Sequence, residues 1–134
     1  MLPEPGSAED WMRYARSDLA VAQHSRAEGV LLEMLCFHAQ QAAEKGIKAV
    51  LVSLGLTFPK THSIARLVDL LPQSVGVAPE LRAADQLTFY ATELRYPGKQ
   101  EPVVEKEFRE ALRLAEAVVR WAEGIIGVPP RPKP

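Results

Sequence analysis

FHAQQAAEKGIK, Phe37 to Lys48, lies in the middle of a run from Val30 to Leu54 that holds no proline and one glycine, Gly46. Across that run Leu32, Leu35, Cys36, Ala39, Ala43, Ile47, Val50 and Leu54 recur at helical spacing and form one apolar face. The opposite face is mixed. Met34, Phe37 and Val52 flank a polar middle of Gln41, Glu44 and Lys48. A helix with apolar residues on both sides has protein on both sides, either another helix or a second subunit. Ala39, Ala42, Ala43 and Gly46 allow a neighbour to approach closely, and Gly55 supplies the left-handed residue that ends the helix. The pattern predicts a central helix around which the domain is built.

Outward from this helix, the bulk numbers narrow the class. With 134 residues the chain fits one domain, residues 1–134, and can bury a real core without disulfides. The single cysteine, Cys36, excludes an intrachain bridge and reads as a buried structural thiol. One cysteine and three scattered histidines argue against a zinc site, and no metal or other cofactor is expected. The start, MLPEPGSAED, lacks the basic and apolar regions of a signal peptide, and no apolar run approaches a bilayer's thickness. A cytoplasmic protein without a membrane segment is the expectation. A net charge of -1 disfavours nonspecific nucleic-acid binding by the whole surface, while leaving room for a local basic patch.

Ser7 and Asp10 predict a capping box opening a first helix that runs to about His24, with Trp11, Met12, Ala15, Leu19 and Ala22 facing inward. The short link Ser25 to Gly29 predicts an antiparallel hairpin with the central helix. After the loop Leu56 to Thr61, Thr61 or His62 is placed to cap a short third helix with Ile64, Leu67, Val68 and Leu71 inward. Pro79 opens a fourth helix expected to run to about Tyr96, where Pro97 and Gly98 break it. Pro102 opens a fifth, expected to end near Glu123, with Val104, Phe108, Ala111, Leu112, Ala115, Val118, Val119 and Ala122 in its stripe. The core is therefore placed at residues 8–123, followed by a proline-rich tail, 124–134. No segment alternates like a strand. The fold class is all-α, an antiparallel up-and-down bundle of four long helices plus one short helix.

Several blocks then resemble a known family. Trp11 and Asp18-Leu19 on the first helix, HAQQAAEKGIKAVL on the second, Pro59-Lys60-Thr61-His62 in the loop and LRYPG ending the fourth are similar to the HEPN domain, the higher eukaryotes and prokaryotes nucleotide-binding domain. The resemblance spans about Ala8 to Glu123. It implies a helical bundle that commonly forms homodimers, often beside a separately encoded minimal nucleotidyltransferase in a toxin–antitoxin-like pair. Many members are metal-independent ribonucleases whose site is an arginine followed, after four to six residues, by a histidine. Here the arginine is matched by Arg95, but the positions for the histidine hold Gln100, Glu101 and Pro102. None of these replaces imidazole as an acid or base near neutral pH. The reading is a nucleotide- or RNA-binding or partner module, with a ribonuclease using a non-standard acid–base group as the alternative.

The residues singled out for either role are few. Arg95 is a phosphate ligand by its planar guanidinium, or a cation meeting the negative end of a helix. Tyr96 stacks on a base beside it, or fills the helix end. Lys45, Lys48 and Gln41 project from one flank of the central helix, and Lys60 and His62 follow in the loop. If that loop folds back, they form a small basic pocket; otherwise Glu44 and Lys48 make an ion pair on a solvated face. Arg95, His62 and Tyr96 are the candidates for catalysis in the alternative.

Overall fold

A computed structural model of the chain describes residues 6–93 and 101–127. Among these residues all regular structure is helical. Helix α1 (Ala8–His24) opens with the expected capping box: Ser7 Oγ accepts from Asp10 N and Asp10 Oδ2 accepts from Ser7 N, both at 3.1 Å. Its buried residues, Met12, Ala15, Leu19 and Ala22, are those of the sequence stripe. After a turn at Gly29, α2 (Leu32–Ser53) runs back along it, and Gly55, at φ 73°, ends α2 in the left-handed region where a side chain is strained.

Helix α2 is covered on both flanks by its own chain. It packs against α1 on one side and α6 (Glu105–Ile126) on another. The close approach expected of small residues falls at Gly46, whose missing Cβ would lie 3.7 Å from Ala122 Cβ and 3.8 Å from Val118 Cγ1. The remaining flank is closed by the loop after α2, which buries Phe58, and by α3 (Ile64–Asp69). A second subunit is not needed to explain why α2 is two-faced.

The expected fourth helix is present as a helical segment, but not as one continuous α-helix. It runs as α4 (Pro79–Ala83), a 3₁₀ turn (Ala84–Leu87) and α5 (Thr88–Thr92). The tightening brings two side chains of this segment onto the first turn of α3. Asp85 Oδ1 accepts from Ala65 N at 2.9 Å, and Thr88 Oγ1 accepts from Ile64 N at 3.1 Å while donating to Asp85 at 3.0 Å. Amides left open by helix geometry are thereby satisfied from a distant segment. The α3 cap itself is Ser63, whose Oγ accepts from Arg66 N, rather than Thr61 or His62.

Helix α6 starts at Glu105, three residues beyond the expected opening at Pro102, and continues past Glu123 to Ile126 before Gly127 turns left-handed at φ 79°. The helical core therefore reaches further than 123, and the rest of the proline-rich tail, 128–134, lies outside the described residues. The α1 side chains expected on the polar side reach across to α6. Arg16 Nε donates to Glu123 at 2.5 Å and Gln23 Nε2 to Glu116 at 2.8 Å. These bonds fix the register of α1 against α6.

Candidate functional site

The polar residues of α2 fall into two clusters, each built on one carboxylate. In the first, Asp18 of α1 takes Lys45 Nζ on Oδ2 at 2.6 Å and His38 Nδ1 on Oδ1 at 3.0 Å. Lys45 and His38 are seven residues apart on α2, two helical turns, so both reach the same side chain of the neighbouring helix. Tyr14, one turn before Asp18, lies exposed beside Lys45, whose Nζ is 6.0 Å from the ring centre.

The second cluster lies deeper. Glu44 Oε2 pairs with Lys48 Nζ at 3.1 Å, one turn on along α2, and the two side chains are only 4% and 5% exposed. Glu44 Oε1 takes Gln40 Nε2 at 2.9 Å and faces His62 Nδ1 at 2.9 Å. Gln40 is fully buried, accepts from Gln41 Nε2 at 2.6 Å and also donates to the carbonyl of His62 at 3.2 Å. The loop after α2 is thus tied to the helix by both its backbone and its imidazole. The Lys48 ammonium sits 5.3 Å from the Trp11 ring centre and 5.4 Å from that of Phe58, and these rings meet edge to face. A buried cation is stabilised here by a carboxylate and two aromatic faces together.

This arrangement corrects the solvated-face reading of Glu44 and Lys48. Their spacing produced the expected pair, but the pair is buried because the loop carrying Phe58 and His62 folds back over it. The fold-back brings Lys48, His62 and, through Gln40, Gln41 together. Lys45 belongs to the separate Asp18 cluster. Lys60 is exposed on the loop, and His62 is half-exposed at 46% of its side chain. Arg95 and Tyr96 lie outside the described residues. Sequence reading missed Gln40, Asp18, Trp11 and Phe58 as parts of these clusters. The one available signal was the Gln40–Glu44 spacing, which matches Glu44–Lys48.

A further polar group bridges α5 and α6, where the Tyr90 phenol donates to Glu107; both line a cleft of about 340 Å³ together with Leu87, Val104 and Leu114. Burial, and next the hydrogen bond to Glu107, push the Tyr90 hydroxyl well above the ordinary phenol range. Cys36 beside it is fully buried, and desolvation pushes its thiol up to about 12. The buried, inert thiol expected from the sequence is what the fold contains. Among the described residues no group of histidine, cysteine and carboxylate side chains is arranged to hold a metal ion.

The model of the HEPN domain matches residues 8–125. The chain belongs to the HEPN family. Among solved structures, this HEPN domain is similar to TT1696 from Thermus thermophilus, with 34% identity and a TM-score of 0.78 over 88% of this chain and 97% of that one. It is also similar to ST0689, described as an archaeal HEPN homologue, with 30% identity and a TM-score of 0.72 over 91% of this chain and 99% of that one. No protein of curated function matches. The family match takes in α1, α2 with both carboxylate clusters, and nearly all of α6. No helix among the described residues is long and apolar enough to cross a membrane.

Proposed function

We propose that this HEPN domain is a homodimeric binding module that works beside a separate minimal nucleotidyltransferase, in a toxin–antitoxin-like pair, and contacts nucleotide or RNA. The observation that carries this reading is the fate of the imidazoles. The sequence puts Gln100, Glu101 and Pro102 where a histidine partner of Arg95 would fall. Two of its three histidines, His38 and His62, are instead bonded to Asp18 and Glu44 along α2. A binding role needs cations and hydrogen-bonding groups but no imidazole at that position. Arg95, Tyr96, Lys60 and His62 are the proposed contacts; Lys48 and Gln41 stand behind His62 in the buried cluster, and Lys45 is a further cation on the Asp18 cluster.

Support for a homodimer comes from exposed apolar residues at one end of the bundle. Leu31 and Met34 begin α2 and Val104 precedes α6, all solvent-facing, and Glu33 Oε1 accepts from Val103 N at 3.2 Å to hold these ends together. Sedimentation velocity over a hundredfold concentration range tests the assembly. A dimer is expected, and a strict monomer throughout rules this reading out.

A second reading, a metal-independent ribonuclease using Arg95 with His62 or Tyr96, draws support from one geometric feature. An imidazole oriented by a buried carboxylate is the arrangement that activates a general base. RNA cleavage in EDTA separates the two readings.

A further inference from the structure

His62 is anchored on one side and open on the other. Its Nδ1 lies 2.9 Å from Glu44 Oε1, and its carbonyl accepts from Gln40 at 3.2 Å, so ring and backbone are both tied to α2. Glu44 already has the Lys48 ammonium on its other oxygen. A carboxylate only accepts, so Nδ1 is the donor of this bond, in the neutral ring the Nδ1–H tautomer. That tautomer leaves a lone pair on Nε2. Among the described residues nothing bonds to Nε2, and 46% of the side chain is open to solvent. Two residues earlier in the same non-helical loop stands Lys60, exposed.

We infer that the loop Lys60–His62 is the ribose-phosphate contact of this protein, with His62 Nε2 accepting a hydrogen bond from a ribose 2′-hydroxyl and Lys60 meeting an adjacent phosphate. This rests on the nucleotide- or RNA-binding reading above and gives that reading a place and a preference. A lone pair held outward by a rigid anchor selects a ligand that carries a donor. The 2′-hydroxyl is the donor that distinguishes RNA from DNA on otherwise similar backbones. A lysine serves the phosphate without reading sequence. The site therefore prefers ribonucleotides over deoxyribonucleotides with little discrimination among bases. The buried cluster behind it serves as the anchor: Glu44 sets the tautomer, Lys48 supplies the counter-charge, and Gln40 fixes the loop.

The test uses fluorescence anisotropy on the full chain, with a labelled single-stranded RNA of mixed sequence and its all-deoxy counterpart. The wild type is expected to bind the RNA about fivefold more tightly, the size of one hydrogen bond. His62→Asn keeps a donor for Glu44 in place of Nδ1 but has nothing in place of Nε2. It is expected to bind RNA as weakly as DNA while leaving DNA binding unchanged, with an unaltered melting curve. His62→Gln, which retains a polar group near the Nε2 position, is expected to recover part of the preference. Lys60→Ala should weaken both ligands equally and lower the salt dependence by about one ion. If RNA binds and His62→Asn keeps the full preference, the ribose contact is refuted and the RNA-binding reading stands. Equal wild-type affinity for RNA and DNA also refutes the ribose contact alone. If neither nucleic acid binds, both inferences fall.

Discussion

Replacing Lys48 by Met removes a charge that has almost no access to water. Methionine keeps the length and the contact with Trp11 and Phe58, so the change isolates the ammonium. What remains is Glu44, with Oε2 stripped of its partner and Oε1 still held by Gln40 and His62. Breaking one side of a buried ion pair costs roughly 3–5 kcal/mol, and the imidazole beside Glu44 puts this case at the low end, about 3 kcal/mol. Glu44→Gln should cost about as much, because it removes the buried carboxylate that pairs with the Lys48 ammonium along α2. The double variant carries no buried charge and is expected to lose only about 1 kcal/mol, far less than the sum of the singles. Urea unfolding at pH 7 measures all three. In a thermal melt each single variant should fall by roughly 10 °C, at some 3–4 °C per kcal/mol for a domain of this size. Single losses below about 0.5 kcal/mol, or additive effects in the double variant, would show the pair to be a solvated surface bridge and refute the buried cluster.

Other consequences follow from the same packing. Gly46→Ala places a methyl group at ordinary contact distance from Ala122 and Val118, so the helix-propensity gain should prevail and raise stability by about 0.5–1 kcal/mol in urea unfolding; a loss would mean that α2 and α6 pack more tightly than described. Ser7→Ala should cost about 1 kcal/mol and expose the first α1 amides to hydrogen exchange. The backbone amide of Ser7, then its hydroxyl, holds the Asp10 carboxyl below its ordinary value of 3.8, so this cap is intact above that pH and is lost as pH falls through the lower folded value, visible as fraying of the Ser7 amide signal. Cys36, raised by burial from 9.0 to about 12, should resist thiol reagents at pH 8 until the chain unfolds. Since the raised group is the native one, its contribution is complete below pH 9 and erodes as pH climbs toward 12; rapid labelling of the native protein at pH 8 would contradict this burial.

What could be read from the sequence was whatever depends on local rules. The capping box at Ser7 and Asp10, the left-handed Gly55, the inward stripe of α1 and the buried Cys36 each follow from a few neighbouring residues, and each is present; the stripe of α6 is present too, except that Val104 precedes the helix and is exposed. The fourth helical segment was harder. Its 3₁₀ turn is tied to Asp85 and Thr88 bonding the amides of α3, some 20 residues earlier, and no pattern within 79–92 signals that. The candidate site shows the same division. A Glu and a Lys four residues apart look alike on an exposed face and a buried one. Only the return of Phe58 and His62 over α2 decides between them, and that is a long-range event. The two-faced character of α2 was legible, while the choice between another helix and a second subunit as its cause needed the long-range packing of α1 and α6.

The most direct measurement incubates the wild type and Arg95→Ala with a mixed RNA pool in EDTA, with one aliquot read on a native gel and one on a denaturing gel. RNA is expected to be shifted by the wild-type protein on the native gel and to stay intact on the denaturing gel with both proteins. Cleavage by the wild type that disappears in Arg95→Ala would contradict it and make this HEPN domain a ribonuclease despite Gln100, Glu101 and Pro102.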